Sequence, residues 1–181
     1  MSNKQKTISQ FDIDRLINIP KTLITEGMDW KKKALFAKDP AWLYLHFVVY
    51  DEDKLAIPNF NVEMKYRPAI DSKLLAKMSF TAIYKAQRIF ALDVGGNELI
   101  HCNPYWQDKS LQPQPILPKV IGSHFHIHHE KYHSETGYPI AKSSDEVQND
   151  FIYYLNEFKH RFNIITTGDI PHPYNIKDKI L

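Results

Sequence analysis

The chain has 181 residues, of which 43% are hydrophobic and 24% are charged, values near the averages of soluble globular proteins. This composition excludes a disordered tail, a collagen and a coiled coil, and the length fits a single domain over residues 1–181. The formal net charge of +2 does not favour bulk electrostatic binding to nucleic acid or to a membrane.

The expected compartment follows from what the sequence lacks. No apolar run approaches the ~20 residues that span a bilayer. The polar first ten residues lack the apolar core of a signal peptide. A single cysteine, Cys102, excludes an intramolecular disulfide and suits a reducing environment. We therefore expect a cytoplasmic protein without membrane association.

The first predicted element is a short helix that begins after Ser9. The Ser9 hydroxyl can cap the helix, and Asp12 stands in the first turn, where the helix dipole favours an acid. Apolar residues follow at helical spacing, namely Ile13, Leu16 and Ile17. Pro20 ends the helix.

Extended segments dominate the middle of the chain. β-Branched and aromatic residues, or strict alternation of apolar and polar residues, predict strands over 42–50, 60–66, 78–84 and 88–94. Residues 99–102 are predicted to extend the same sheet. Residues 105–118 contain three prolines and are predicted to form a loop of a length that is often functional.

A long helix is predicted over residues 143–162. Ser143 and Glu146 form a capping box at its start. Apolar residues recur every three or four positions, namely Val147, Phe151, Tyr154, Leu155, Phe158 and Phe162. The predicted fold is therefore α+β: a single antiparallel sheet of about five or six strands, a long C-terminal helix on one face and a short N-terminal helix.

Histidines are concentrated in one short segment. Five of the nine fall within residues 124–133. In a strand, His124, His126 and His128 share one face, and Phe125 and Ile127 share the other. We expect the two apolar side chains to lie in the core beneath the C-terminal helix, and the histidines to lie on an open face.

Three kinds of chemistry fit this alternation. His124, His126 and His128 could bind a divalent metal such as Zn, Mn or Ni, with Glu130 as a ligand or base. Alternatively, a neutral and a protonated histidine could cleave a phosphodiester without a metal, with His101 joining them. The run also has the His-φ-His-φ-His shape of the histidine-triad nucleotide hydrolases, but it lacks their usual upstream segment.

Other candidates are less specific. Glu63 and Lys65, with Asp51 and Asp53 upstream, have the outline of a nuclease carboxylate–lysine pair. Cys102 could be a nucleophile, although a buried small apolar residue is the commoner role of a lone cysteine. Three aromatic side chains could stack on bases, namely Trp106, Tyr132 and Tyr138.

Three stretches together resemble a family of small bacterial proteins of unknown function. They are residues 8–16, residues 89–96 with the following His101-Cys102-Asn103-Pro104, and residues 122–132. The last resembles a Gly-Pro-His-φ-His-φ-Tyr-x-Glu-Gly-Tyr signature, and residues 158–164 resemble the end of the family. The resemblance singles out six positions: His101, Asn103, His124, His126, Glu130 and Tyr132.

The chain also departs from that pattern. His128 stands where the family usually has tyrosine, and Ser123 stands where it has proline. The leading hypothesis is a phosphodiesterase or nuclease of the mobile-element or toxin-like kind. In it, His101, His126, Glu130 and Tyr132 are catalytic and the partner is a nucleic acid or nucleotide. The second hypothesis is a non-catalytic module that binds a protein, as an inhibitor or antitoxin does.

Overall fold

The structure is a computed structural model that describes residues 7–32, 42–69, 76–133, 136–140 and 150–173. Its helices are α1 (Gln10–Asn18) and α2 (Phe151–Arg161). Its strands are β1 (Lys21–Leu23), β2 (Lys31–Lys32), β3 (Leu43–Tyr50), β4 (Ala56–Arg67), β5 (Lys77–Tyr84), β6 (Gln87–Val94), β7 (Ile100–Cys102), β8 (Lys119–Ile121), β9 (His124–Ile127), β10 (Gly137–Pro139) and β11 (Ile164–Thr166).

One large sheet dominates the described part of the chain. Nine strands form it in the order β10-β9-β6-β5-β4-β3-β1-β11, with β2 paired to β3 at one side. The neighbours pair antiparallel, except that β1 and β11 are parallel. A separate ribbon of two strands, β7 and β8, completes the described strands.

The predicted α+β fold is wrong. The fold is mostly sheet, the large sheet has more strands than the five or six predicted, and the described helices are both short. Within the described residues, the C-terminal helix begins at Phe151 behind the N-cap Asp150, whose side chain accepts a hydrogen bond from the Tyr153 amide. Ser143 and Glu146, the predicted capping box, lie outside the described residues.

The long central strands form because their sequences alternate. Along β4 and β5, buried apolar residues such as Met64 and Phe80 alternate with half-buried polar residues such as Lys65 and Ser79. Since side chains of a strand alternate between the two faces, the sheet has one apolar and one polar face. Strand β9 belongs to the same sheet, and its histidines lie on the polar face.

The apolar face is covered by α2. Phe158 stacks on Phe80, with 5.5 Å between the ring centres, and Phe162, just beyond the helix, stacks on Phe90 at 5.1 Å. Tyr154 is fully buried, and its hydroxyl accepts a hydrogen bond from the Ser123 hydroxyl next to β9. Through these contacts α2 packs against the apolar face of the sheet and holds β9 in place.

The predicted N-terminal helix is confirmed. Ser9 is the N-cap of α1, and its side chain accepts a hydrogen bond from the Asp12 amide. Beyond the helix, the buried Lys21 ammonium donates to the carbonyl oxygens of Leu16, Ile17 and Ile19. The lysine therefore satisfies backbone acceptors that the end of a helix leaves without partners.

Among the described helices, none combines the length and the apolar character needed to cross a bilayer.

Candidate metal centre

Strand β9 places two histidines on the polar side of the sheet. It pairs with β6 so that His124 lies opposite Asp93 and His126 lies opposite Ala91. Phe125 points to the other side, where its ring stacks on Phe90 at 6.0 Å between ring centres. The predicted alternation is therefore confirmed for His124, Phe125 and His126, and Ile127 packs partly against the core.

The third histidine, His101, comes from the β7–β8 ribbon. Its ring centre lies 5.3 Å from that of His124 and 4.7 Å from that of His126. Gly137 on β10 makes room for it, because a Cβ atom at this glycine would lie 2.6 Å from Cδ2 of His101. The absence of a side chain at this position is what admits the imidazole.

Asn103 fixes the ribbon against the large sheet. Its Nδ2 group donates to the carbonyl oxygens of Leu117 and Gly137, and its Oδ1 accepts from the Gly137 amide at 2.7 Å. The Asn103 side chain is buried, so water does not compete for these hydrogen bonds. They hold the end of β7 beside β10 and thereby position His101.

The three rings have the spacing of ligands to one ion. One nitrogen of each ring lies within 4.8 Å of the others, and the His124 and His126 ring centres are 4.8 Å apart. An ion bound ~2.1 Å from each nitrogen lies about 3.2 Å from each ring centre, so coordinating rings have centres about 4.5 Å apart at a right angle and about 5.2 Å at the tetrahedral angle. The three observed separations fall in or next to this interval.

Backbone carbonyls select the nitrogen that each β9 histidine can offer. Nδ1 of His124 faces the Gly122 carbonyl oxygen at 2.8 Å, and Nδ1 of His126 faces that of Thr136 at 3.2 Å. Because a carbonyl oxygen only accepts, both Nδ1 atoms carry the proton and donate. The Nε2 atoms remain as the lone-pair donors to a metal, the arrangement typical of metal-binding histidines. Burial also lowers the pKa of His124, which favours the neutral ligand form.

A carboxylate, Asp93, adjoins this group. Its Oδ2 lies 3.4 Å from Nε2 of His126, and its Oδ1 accepts a hydrogen bond from the Ser79 hydroxyl at 2.8 Å. Burial alone would raise the pKa of Asp93, but its hydrogen bond and charge interaction with His126, together with Ser79, lower it to about 2. The carboxylate is therefore ionised near neutral pH. A hydrogen bond between these two atoms needs a proton on Nε2 of His126, and an ion held by the three histidines would displace that proton.

The expectation that the histidine face is open is wrong. His124 and His126 are each only 2% exposed. The ribbon of β7 and β8 is the reason. Residues 99–102 were expected to extend the large sheet, but β7 pairs with β8 instead. The ribbon covers the histidine face of β9 and brings His101 into contact with His124 and His126. His101 itself is half-buried, so the group is reached from its side.

His128 does not join the other three histidines. Strand β9 ends at Ile127, and the Nδ1 of His128 faces the Arg88 carbonyl oxygen at 3.1 Å. The ring packs instead against that of His133, at 5.4 Å between ring centres. The structure thus assembles His101, rather than His128, with the two β9 histidines.

Glu130 and Tyr132 make contacts with α1 and with the proline-containing loop rather than with the three histidines. A Glu130 carboxylate oxygen accepts from the Gln10 amide at the start of α1, and the Glu130 amide donates back to the Gln10 side chain. The Tyr132 hydroxyl donates to Asp108 at 2.7 Å, and its ring stacks on Tyr105 at 3.9 Å. These contacts tie the segment after β9 to α1 and to the proline-containing loop.

The remaining candidates are dispersed. Cys102 is exposed, against the expectation that it is buried. Glu63 and Lys65 form an ion pair of 2.8 Å on the polar face. Tyr138 is buried against Phe125, so it cannot stack on a base.

Asp93 is a member of the site that was not predicted from the sequence. A usable signal was present, because an aspartate interrupts the apolar run of β6 and its side chain falls on the face shared with the β9 histidines. Ser79, which orients the carboxylate, carried no comparable signal.

Comparison with known proteins gives a family but no characterised relative. The profile of a family of unknown function, DUF6978, matches residues 8–164. No curated protein and no solved structure matches the chain significantly. The matched range includes the whole of the site, from Asp93 to Gly137. The chain therefore belongs to the family of unknown function DUF6978.

Proposed function

We propose that the protein is a metal-dependent hydrolase in which His101, His124 and His126 hold a divalent ion. The observation that carries this proposal is the convergence of three imidazole nitrogens within 4.8 Å, from two separate sheets. Imidazole nitrogens suit Zn²⁺ and its neighbours in the first transition row.

The number of ligands favours catalysis over a structural role. Structural zinc sites use four protein ligands, whereas catalytic sites use three and keep a position for water. An ion held there would lower the pKa of a bound water and supply hydroxide near neutral pH. Asp93, in contact with His126, is ionised and suited to accept a hydrogen bond from that water.

A nearby cation favours an anionic substrate. Nη1 of Arg88 lies 3.6 Å from Oδ2 of Asp93, and its side chain is about one-third exposed. Guanidinium groups bind phosphate and carboxylate oxygens in a fixed geometry. A phosphodiester, such as a nucleotide or nucleic-acid backbone, is therefore the substrate class that we propose.

The test combines metal analysis with hydrolysis of a generic phosphodiester, bis(4-nitrophenyl) phosphate. Protein purified without a histidine tag is expected to contain one equivalent of metal at this site and to lose hydrolysis with EDTA. His126→Ala should lose both, and His101→Ala, at a half-buried position, should lose both with less risk to the fold. His160→Ala, at an exposed position on α2, is the matched control and should lose neither.

The contact between His126 and Asp93 favours one alternative, acid–base catalysis without a metal. At 3.4 Å the carboxylate could hold a protonated His126 as a general acid. Hydrolysis that survives EDTA but disappears in His126→Ala would support this alternative. Protein that binds no metal and hydrolyses nothing would contradict both mechanisms and leave the protein-binding module as the remaining hypothesis.

A further inference from the structure

A second pair of histidines lies beyond the end of β9. The rings of His128 and His133 are 5.4 Å apart between centres, with 67° between their planes. The His128 ring is buried, with 2% of the residue exposed, and the His133 ring lies on its solvent side. Neither ring takes part in the three-histidine group.

Nε2 of His128 has no hydrogen-bond partner among the described residues. Nδ1 of His128 donates to the Arg88 carbonyl oxygen, so its Nε2 is the unprotonated lone pair of a neutral ring. That Nε2 is buried and has no hydrogen-bond partner. A buried polar atom without a partner is unfavourable because it has lost its hydration, so native proteins seldom keep one without a ligand, an ion or a water.

The backbone holds the two rings in place. His129 and His133 exchange two hydrogen bonds, from the His129 amide at 2.7 Å and from the His133 amide at 2.6 Å. His133 also has a φ of +53°, a left-handed conformation that is uncommon for a non-glycine residue. The closed turn therefore fixes His133 beside His128, and such strained positions concentrate at binding sites.

We propose that His128 and His133 form a second site for a late first-row divalent cation, distinct from the three-histidine centre. The 5.4 Å between the ring centres is close to the about 5.2 Å expected for two imidazoles on one tetrahedral ion. The cation satisfies Nε2 of His128, His133 closes over it from the solvent side, and water completes its coordination. Two protein ligands make this site weaker than the first.

The experiment is a Zn²⁺ titration by calorimetry, with metal content after dialysis, on untagged metal-free protein. The wild type is expected to bind two equivalents, the second at least tenfold more weakly. His133→Ala should bind one equivalent. Because its side chain is exposed, this variant should keep the circular dichroism of the wild type. His160→Ala should still bind two equivalents, and the His133 ring resonances of the wild type should shift with the second equivalent only.

The variant His101→Ala separates this proposal from the proposed function. It should lose the tighter equivalent and keep the weaker one. If the wild type binds only one equivalent of Zn²⁺, and His101→Ala binds none, the second site is overturned and the first is left intact. His133→Ala with the same stoichiometry as the wild type would also overturn it, since a water would then satisfy Nε2 of His128.

Discussion

Gly137 and His101 are in such close contact that the glycine position admits no side chain. A Cβ atom at residue 137 would lie 2.6 Å from Cδ2 and 3.1 Å from Cγ of the imidazole. These distances are shorter than carbon atoms tolerate, so the ring of His101 would have to move. The strand β10 therefore helps to set the geometry of the metal ligands without supplying one.

Gly137→Ala is predicted to weaken metal binding more than it weakens the fold. Displacing His101 should reduce Zn²⁺ affinity by about 10–100-fold, the range found when a group that orients a ligand is lost. Calorimetric titration measures this. Gly27→Ala is the control: its φ of +71° makes alanine unfavourable by about 1 kcal/mol, but no other atoms lie near it, so metal affinity should not change. Equal affinity in the two variants would contradict the role of Gly137.

Asp93→Asn is predicted to keep the fold and reduce metal binding. Asparagine has the same shape, but it removes the negative charge next to His126 and places a neutral amide there. Zn²⁺ affinity should fall by about tenfold or more, with a larger loss of hydrolysis. Asp53→Asn, the same change at an exposed position in the turn between β3 and β4, is the control and should bind Zn²⁺ normally. A hydrolytic rate equal to that of the wild type would exclude Asp93 from the mechanism.

Asn103→Ala is predicted to destabilise the protein and to loosen the ribbon. The change removes three hydrogen bonds and leaves the carbonyl oxygens of Leu117 and Gly137 without this donor. The free energy of unfolding should fall by about 2–4 kcal/mol, and Zn²⁺ affinity should fall with it. Urea denaturation with and without Zn²⁺ measures both effects. Asn18→Ala, an exposed position, should change stability by less than about 1 kcal/mol.

Stability is predicted to rise with pH between 7.5 and 9.5 because of Lys21. Burial lowers the pKa of its ammonium from 10.5 to about 7. In this window the unfolded chain keeps the proton while the folded chain has released it, so the unfolded state binds more protons and the free energy of unfolding rises. The expected rise is about 2 kcal/mol, which urea denaturation in EDTA would measure.

The control for this prediction is Lys21→Met, which has no proton to release and should show no such rise. Four other buried groups with shifted pKa values titrate outside this window. Burial lowers the pKa of His124, His128 and His129, so they titrate below it, and burial raises the pKa of Tyr138, which titrates above it. A wild type with the same pH dependence as Lys21→Met would show that the three carbonyls keep the lysine charged.

The part of the fold that could be predicted is the part that is locally encoded. Strands β3 to β6 have eight or more residues each, and their alternation of apolar and polar residues locates them within a few positions. Strands β1, β2, β8, β10 and β11 have two or three residues each, too few to show a period. Their pairing depends on distant segments, so the sheet was predicted too small.

The candidate site was predictable to a similar degree. Alternation placed His124 and His126 together, because that rule depends only on the strand. It failed for His128, because the strand ends at Ile127. The burial of the site was not predictable, since it depends on Asn103 and Gly137, which fold the ribbon over the sheet through contacts 34 residues apart in the sequence.

The parallel pairing of β1 with β11 has a consequence for synthesis on the ribosome. Lys21 and Ile164 are register partners, so one edge of β1 remains without its neighbour until nearly all of the described chain has left the exit tunnel. Until then β1 offers unpaired amide and carbonyl groups that another nascent chain could engage. We therefore expect completion of the sheet to be a late step, because the contact between β1 and β11 joins distant segments and long-range contacts slow folding.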